Sequence, residues 1–200
     1  MQLTVRPAQS EDANGATSLI LQSAFRMLNE IFGNGDATVT GQYLMAAWQL
    51  GMGQYGYRNH WVACVNHNDV VGVVTSWHDG LAASFGRHTL NSIKQFFGVN
   101  ETLNVLARSR RLTGMLSPPC GHQLAIGHVA VAEAYRQRGI GRSLITAMQH
   151  RALRLGKSEL VLDVEADNPD ALAFYLSLGF ECAPSLTPFL HCTKPVADIR

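Results

Sequence analysis

Arg136, Gly139 and Gly141 stand in an Arg-x-x-Gly-x-Gly pattern, with Arg138 and Arg142 as further cations beside the glycines. An apolar run through Val129, Ala130 and Val131 leads into this loop, and an amphipathic helical stretch follows it at once. Strand, basic glycine turn and helix N-terminus make a cradle for an anion. The first amides of a helix have no partner inside it, and they carry the positive end of its dipole. Glycine lets the backbone approach a phosphate and take conformations closed to other residues. Two phosphate loops are excluded by the spacing. A dinucleotide fingerprint needs a third glycine where Leu144 stands, and a P-loop closes on Gly-Lys-Ser/Thr where this one closes on Gly141-Arg142-Ser143.

A second segment, residues 160–180, carries its own signals. Leu160 to Val164 reads as a short apolar strand. Asn168 suits an N-cap, Pro169 the first helical position and Asp170 the first turn. Ala171, Leu172, Tyr175 and Leu178 give a helical stripe that Gly179 ends.

The first motif resembles the Gln/Arg-x-x-Gly-x-Gly/Ala signature of the GNAT superfamily of acetyl-CoA-dependent N-acetyltransferases, and the second segment resembles the other half of that family's site. The resemblance is tight over residues 123–183. It implies an α/β (α+β) fold: a mixed, mainly antiparallel twisted sheet, helices on both faces, and a splayed parallel strand pair. It also implies acetyl-CoA as co-substrate, without a metal. The backbone of Val129, Ala130 and Val131 would bond the pantetheine amides, and one of those N–H groups would polarise the acetyl carbonyl. Arg136, Gln137, Arg138, Gly139, Ile140, Gly141, Arg142 and Ser143 would hold the pyrophosphate. Asn168 would position the pantetheine arm or a water, besides capping its helix. Tyr175 would face the cofactor and donate a proton to the CoA sulfur.

The implied reaction is attack by an amine on a thioester. An alkylammonium of pKa near 10.4 is about a thousandth neutral at pH 7.4, a handicap of roughly 4 kcal/mol that a general base removes. The developing oxyanion needs an amide donor. Asp163 occupies a position where some relatives carry an acidic base, and it lies in an otherwise apolar strand. A carboxylate there needs a partner or a raised pKa. His128, on the preceding strand, is a second candidate. Strand alternation puts it on the face of Ala130, opposite Val129 and Val131. Glu165 is a third. The sequence leaves the choice open, and it leaves open a longer acyl donor, for which Gly127 and Ala130 would make room. Gln123 and His122 read as structural.

Composition sets the outer limits. The chain has 200 residues, 46% of them hydrophobic, and a net charge of +1. This suits one domain over residues 1–200 with a sizeable core, and it excludes a global attraction to nucleic acid or an anionic membrane. No apolar run reaches roughly 18 residues, and no signal peptide precedes Leu3. Cys64, Cys120, Cys182 and Cys192 are scattered and form no metal pair or dense disulfide frame. The expectation is a reduced, cytoplasmic enzyme. The eight histidines, His60, His67, His78, His88, His122, His128, His150 and His191, never pair at i+3 or i+4, so no zinc site is expected.

The elements that would carry these residues can be placed. Leu3 to Ala8 is a strand closed by Pro7, and Ser10 would cap a helix running through Leu19, Ile20, Ala24, Met27 and Leu28. Residues 32–36 read as a loop, Tyr43 to Leu50 as a second helix, and 52–60 as an irregular glycine-aromatic run. Trp61 to Val65 and Val70 to Trp77 form a hairpin around Asn66-His67-Asn68-Asp69. A long helical insert, about 81–119, departs from the family pattern. Leu90, Ile93, Phe96 and Phe97 mark one helix in it, and Leu103, Leu106 and Leu112 another. Leu144, Ile145, Met148, Ala152 and Leu155 should face the sheet, and tail strands are expected over 180–183 and 189–193.

Two functions fit. One is transfer of an acetyl group to a primary amine of a small molecule or peptide by direct attack. The other is a non-catalytic acyl-CoA-binding sensor or interaction module. A homodimer through the tail or the insert stays open, and no nucleic-acid or membrane partner is expected.

Overall fold

The computed structural model describes residues 2–66, 68–81, 84–184 and 187–196. His67, in the expected hairpin turn, and residues 82–83 of the insert lie outside the described residues. Seven strands form one sheet: β1 (Leu3–Pro7), β2 (His60–Val65), β3 (Asp69–Trp77), β4 (Gln123–Val131), β5 (Glu159–Glu165), β6 (Glu181–Pro184) and β7 (Phe189–Pro195). Their order is β1-β2-β3-β4-β5-β7-β6. All neighbours are antiparallel except β4 and β5.

The helices are α1 (Ala13–Ser23), α2 (Phe25–Leu28), α3 (Ala37–Gln49), α4 (Ser84–Thr113), α5 (Ile140–Arg154) and α6 (Pro169–Ser177). They lie in two layers. Leu19 and Ile20 of α1, Tyr43, Leu44 and Trp48 of α3 and Ile93 and Val105 of α4 form one core with Val62, Cys64 and Val73 of the sheet. Leu144, Ile145 and Met148 of α5 and Tyr175 of α6 form the other, with Leu124, Leu160 and Leu162. The fold is thus the mixed α/β sheet that the resemblance implies.

Several boundaries differ from the sequence reading for local reasons. Gln9, not Ser10, caps the first turn, because the Asp12 carboxylate accepts from the Gln9 amide at 2.8 Å and takes both arms of Arg6 at 2.7 and 2.8 Å. The helical stripe ends α1 early, since Ala24 leaves helical geometry at φ −146°. α3 begins at Ala37, inside the expected loop and helix gap, because Asp36 accepts from the Thr38 and Val39 amides at 2.8 and 3.4 Å. Leu155 is the C-cap of α5 and is exposed.

α4 is two helical stretches in one span, broken at Gly98, whose φ of 74° and ψ of 175° are open essentially to glycine alone. Ile93 points into the core as read, whereas Leu90 and Leu103 are exposed. Arg108 donates to Ile31 O at 2.9 Å and to Glu101 at 2.8 Å, and Arg111 pairs with Glu30, so these insert arginines serve its packing.

In the tail, Cys182 and Cys192 lie directly opposite each other in the β6–β7 pair and form a disulfide. The expectation of reduced cysteines is corrected here. Their spacing hides the pairing because only the hairpin register brings them together.

Candidate active site

β4 and β5 pair through three residues only, Gln123 to Ala125 against Glu159 to Val161, and then part. Beyond that point the β5-facing edge of β4 has no strand partner among the described residues. A cleft of about 840 Å³ opens there, within the range of small-molecule sites. Residues 129–131 form one wall, and Asn168, Asp170, Ala171, Phe174 and Tyr175 form the other. Residues 135–137 and 139–142 also line it, as do Gln22 and Ser23 of α1. Of the residues expected at a cofactor, Arg138 and Ser143 alone are not on its lining.

The basic loop is shaped by two left-handed residues, Gln137 at φ 59° and Gly139 at φ 78°. Gly139 is the N-cap of α5. The Ser143 amide already donates to Gly139 O at 3.0 Å, so the free helix-start amides are those before it. Gly141 serves a different need. A Cβ there would sit 2.8 Å from Phe174 Cζ, so its absence lets α5 and α6 close on each other. Arg136 donates to Val131 O at 3.2 Å, and Arg138 stacks over the Tyr135 ring at 5.4 Å.

On the far wall, Asn168 caps α6 by accepting from the Ala171 amide at 3.1 Å while lining the cleft. Tyr175 is buried to 8% exposure between Phe174 and Phe180, with ring centroids 5.2 and 5.5 Å away. Burial raises its phenol pKa, so the hydroxyl keeps its proton.

A bulge in β4 sets the near wall. Thr75 pairs with Gly127 but Val73 with Ala130, so β4 carries one residue more than β3, and His128 takes φ 48°. Leu124 and Ile126 pack in the α5 layer, while Ala130 packs in the α1 layer. His128 stands on the α1 side too, 3.0 Å from Ser23 Oγ and 5.8 Å from the Tyr55 ring. Burial lowers its pKa to about 4. Gly127 is filled by its neighbour: a Cβ there would meet the Trp77 ring at 2.9 Å, so the residue leaves no extra room for an acyl chain.

Asp163 and Glu165 lie on the face of β5 opposite Leu162 and Val164, which pack in the α5 layer. Asp163 Oδ2 accepts from the Ser117 amide at 2.8 Å, and Oδ1 stands 2.9 Å from His191 Nδ1. Glu165 is held by Arg26 at 2.8 Å, which also takes Asp167 at 2.9 Å. Gln123 donates to Glu159 at 2.7 Å, and His122 lies 3.5 Å from the same carboxylate, both away from the cleft. Among the described residues no group of three or more His, Cys, Asp or Glu could hold a metal, and no helix is long and apolar enough to cross a membrane.

β4 thus parts from its parallel neighbour, carries a bulge and leads on to the glycine-started helix α5. The model of the acetyltransferase (GNAT) family matches residues 22–180. The chain belongs to the GNAT acetyltransferase family. Among solved structures, this GNAT chain is similar to an N-acetyltransferase from Staphylococcus aureus Mu50, at TM-score 0.70 and 19% identity over 96% of this chain and 100% of that one. It is also similar to a Salmonella typhimurium protein solved with its cofactor acetyl-CoA, at TM-score 0.53 and 16% identity over 98% and 95%. At these identities the likeness is one of fold. Among curated proteins, a mycothiol acetyltransferase of Corynebacterium aurimucosum is 40% identical over 70 residues, 35% of this chain and 21% of that protein. The chain thus matches about a fifth of the length of such relatives.

His128, Asp163 and Glu165 stand outside the cleft lining, and four residues around them escape a reading of the sequence: Ser23, which lines the cleft and meets His128, Arg26, which holds Glu165, and Ser117 and His191, which hold Asp163. Each meets its partner only through a long-range contact. His191 carried one local hint, its place in an apolar tail strand two residues from Phe189.

Proposed function

We propose that this chain moves the acetyl group of acetyl-CoA to a primary amine of a small molecule or peptide by direct attack. The observation that carries this reading is the cleft itself, in which the Gly139 loop, the unpaired edge of β4 and Tyr175 line one cavity. The acetyl-CoA in the Salmonella typhimurium relative supports the donor, and the partial match to mycothiol acetyltransferases supports a small acceptor.

The residues fit that donor on their own geometry. Gly139 takes a left-handed conformation at the start of α5, and the residues that carry the free helix-start amides line the cleft. Those amides, with Arg136 and Arg142, hold the pyrophosphate. The open edge of residues 129–131 bonds the pantetheine amides, and one N–H there polarises the acetyl carbonyl. Bound acetyl-CoA supplies an activated acyl group. The acceptor nitrogen forms the new N–C bond, the C–S bond breaks, and Tyr175 gives its proton to the sulfur. The amine's proton leaves to a group on the α1 face of the splay. Asp163 stands two residues beyond the last paired residue of β5, level with Gly127 and the bulge at His128 across the gap. Of these, His128 is held neutral and weakly basic by burial, which turns the search for a proton acceptor to Asp163 and its hydrogen-bond partners.

Calorimetry with acetyl-CoA, followed by free-thiol release against a panel of amines, tests the reading. Micromolar binding with thiol release for one amine class supports it and names the acceptor type. Binding without release across small amines and peptides replaces it with an acyl-CoA sensor. No binding removes the cleft assignment.

A further inference from the structure

We infer that His191, through Nε2, is the group that takes the proton from the attacking amine, and that Asp163 is its positioning residue. The inference rests on the acetyltransferase reading above and names a residue outside the family's sequence motifs.

Two hydrogen bonds hold the Asp163 carboxylate in place and tie one of its oxygens to an imidazole. Its Oδ2 accepts from the Ser117 amide at 2.8 Å, and its Oδ1 lies 2.9 Å from His191 Nδ1. An ionised carboxylate only accepts, so Nδ1 must be the donor. A neutral imidazole that carries its proton on Nδ1 has its lone pair on Nε2. The carboxylate therefore fixes one tautomer of His191, with Nε2 free to take a proton. A base oriented by a third group is the arrangement that general-base chemistry uses.

The pair also lies on the appropriate side of the sheet. Leu162 and Val164 of β5 and Cys192 of β7 pack in the α5 layer. Alternation then puts Asp163 and His191 on the opposite face, which carries α1, His128 and the segment after α4. Asp163 and His191 are register partners, so they sit at the same level along the splay. Their side chains are 11% and 28% exposed, so the carboxylate is sheltered and the imidazole is reachable. Three other charged groups share this face: Glu165 with its partner Arg26, and Glu181 of β6, which stands in register with Thr193.

The proton balance is complete. As the N–C bond forms, the amine proton goes to His191 Nε2. As the C–S bond breaks, Tyr175 protonates the sulfur. Solvent then carries the proton from His191 back to Tyr175, and no other reactant is consumed.

The decisive measurements are imidazole nitrogen NMR of the intact protein and steady-state kinetics of His191→Asn and His191→Ala. Asparagine keeps a donor near the Nδ1 position, so His191→Asn preserves the bond to Asp163 and removes only the base. The expected results are an Nδ1–H signal for His191 that is lost in Asp163→Asn, and a kcat about 10²-fold lower in His191→Asn with unchanged acetyl-CoA affinity. The acidic limb of the pH–rate profile should vanish in that variant, and added imidazole should partly restore His191→Ala. An Nε2–H tautomer in the native protein, or a kcat within threefold of it in His191→Asn, overturns the inference. If the native protein itself releases no thiol with any amine, the transferase reading fails and this inference falls with it. That result differs from an active enzyme that tolerates the loss of His191.

Discussion

His128 is the donor in its hydrogen bond to Ser23. Ser23 Oγ gives its one proton to Ile20 O at 2.6 Å, so at 3.0 Å from His128 Nδ1 it can only accept. The end of α1 thereby holds a neutral imidazole against the bulge of β4. His60 repeats the pattern deeper in the same layer, with Nδ1 3.0 Å from Gly56 O and the tilted Trp48 ring 5.1 Å away, centroid to centroid.

Two buried neutral histidines make stability depend on pH. Burial lowers His128 to about 4 and His60 to about 3, from 6.5 in the unfolded chain. Above 6.5 neither state is protonated and the full stability is present. As pH falls below 6.5 the unfolded chain binds protons that the folded chain refuses, so stability is lost progressively toward the folded values. Each histidine contributes up to about 1.4 kcal/mol per pH unit in that window. His78, also lowered by burial and then by Lys157, acts in the same direction. Urea unfolding between about pH 7 and pH 5, above most carboxylate titration, should show a loss of order 2–4 kcal/mol. A flat profile over that window would mean these imidazoles are solvated.

Two glycines in open space should respond with opposite signs to the same substitution. A Cβ at either Gly139 or Gly41 would meet no heavy atom within 4 Å. Gly139 sits at φ 78°, so Gly139→Ala should cost about 1–2 kcal/mol and weaken acetyl-CoA binding as the helix-start amides turn away. Gly139→Asn should recover part of both, because asparagine tolerates the left-handed region. Gly41 lies inside α3, and Gly41→Ala should stabilise by about 0.5–1 kcal/mol without touching affinity. Thermal unfolding and calorimetry on the three variants test this. Equal losses in Gly139→Ala and Gly139→Asn would show that the backbone there is not held left-handed.

The halves of the site that are contiguous in sequence were legible, because their signals are local. Gly139 as a helix start, Asn168 as a cap before Pro169, and the tail strands all follow from residues within one turn of each other. Gly98 likewise divides the insert into the two helices that its apolar spacing predicts. The extra residue in β4 was not legible, since a bulge is defined by the strand beside it and nothing at Gly127 or His128 marks it. The same physics hid His191 and the Cys182–Cys192 bond. Both are matters of register between strands whose pairing depends on the whole sheet. Leu90 and Leu103 mislead for the converse reason: helical spacing says which residues share a face, not which face meets the core.

Tyr175 offers the sharpest separation of chemistry from packing. Its ring contributes to the α5 and α6 core against Phe174 and Phe180, so Tyr175→Ala would lose about 3–5 kcal/mol and report mainly on folding. Tyr175→Phe keeps the ring and removes only the hydroxyl. Because burial raises the phenol's pKa, the native hydroxyl is protonated across the whole working range and adds no limb of its own to the pH profile. If it gives a proton to the departing sulfur, Tyr175→Phe should lower kcat about 10²-fold, with acetyl-CoA affinity within threefold of the native protein. The loss should shrink with a thioester whose thiol is more acidic, since that leaving group needs less help. Unchanged turnover with acetyl-CoA removes Tyr175 from the mechanism. An equal loss for both thioesters assigns it to alignment of the donor instead of proton transfer.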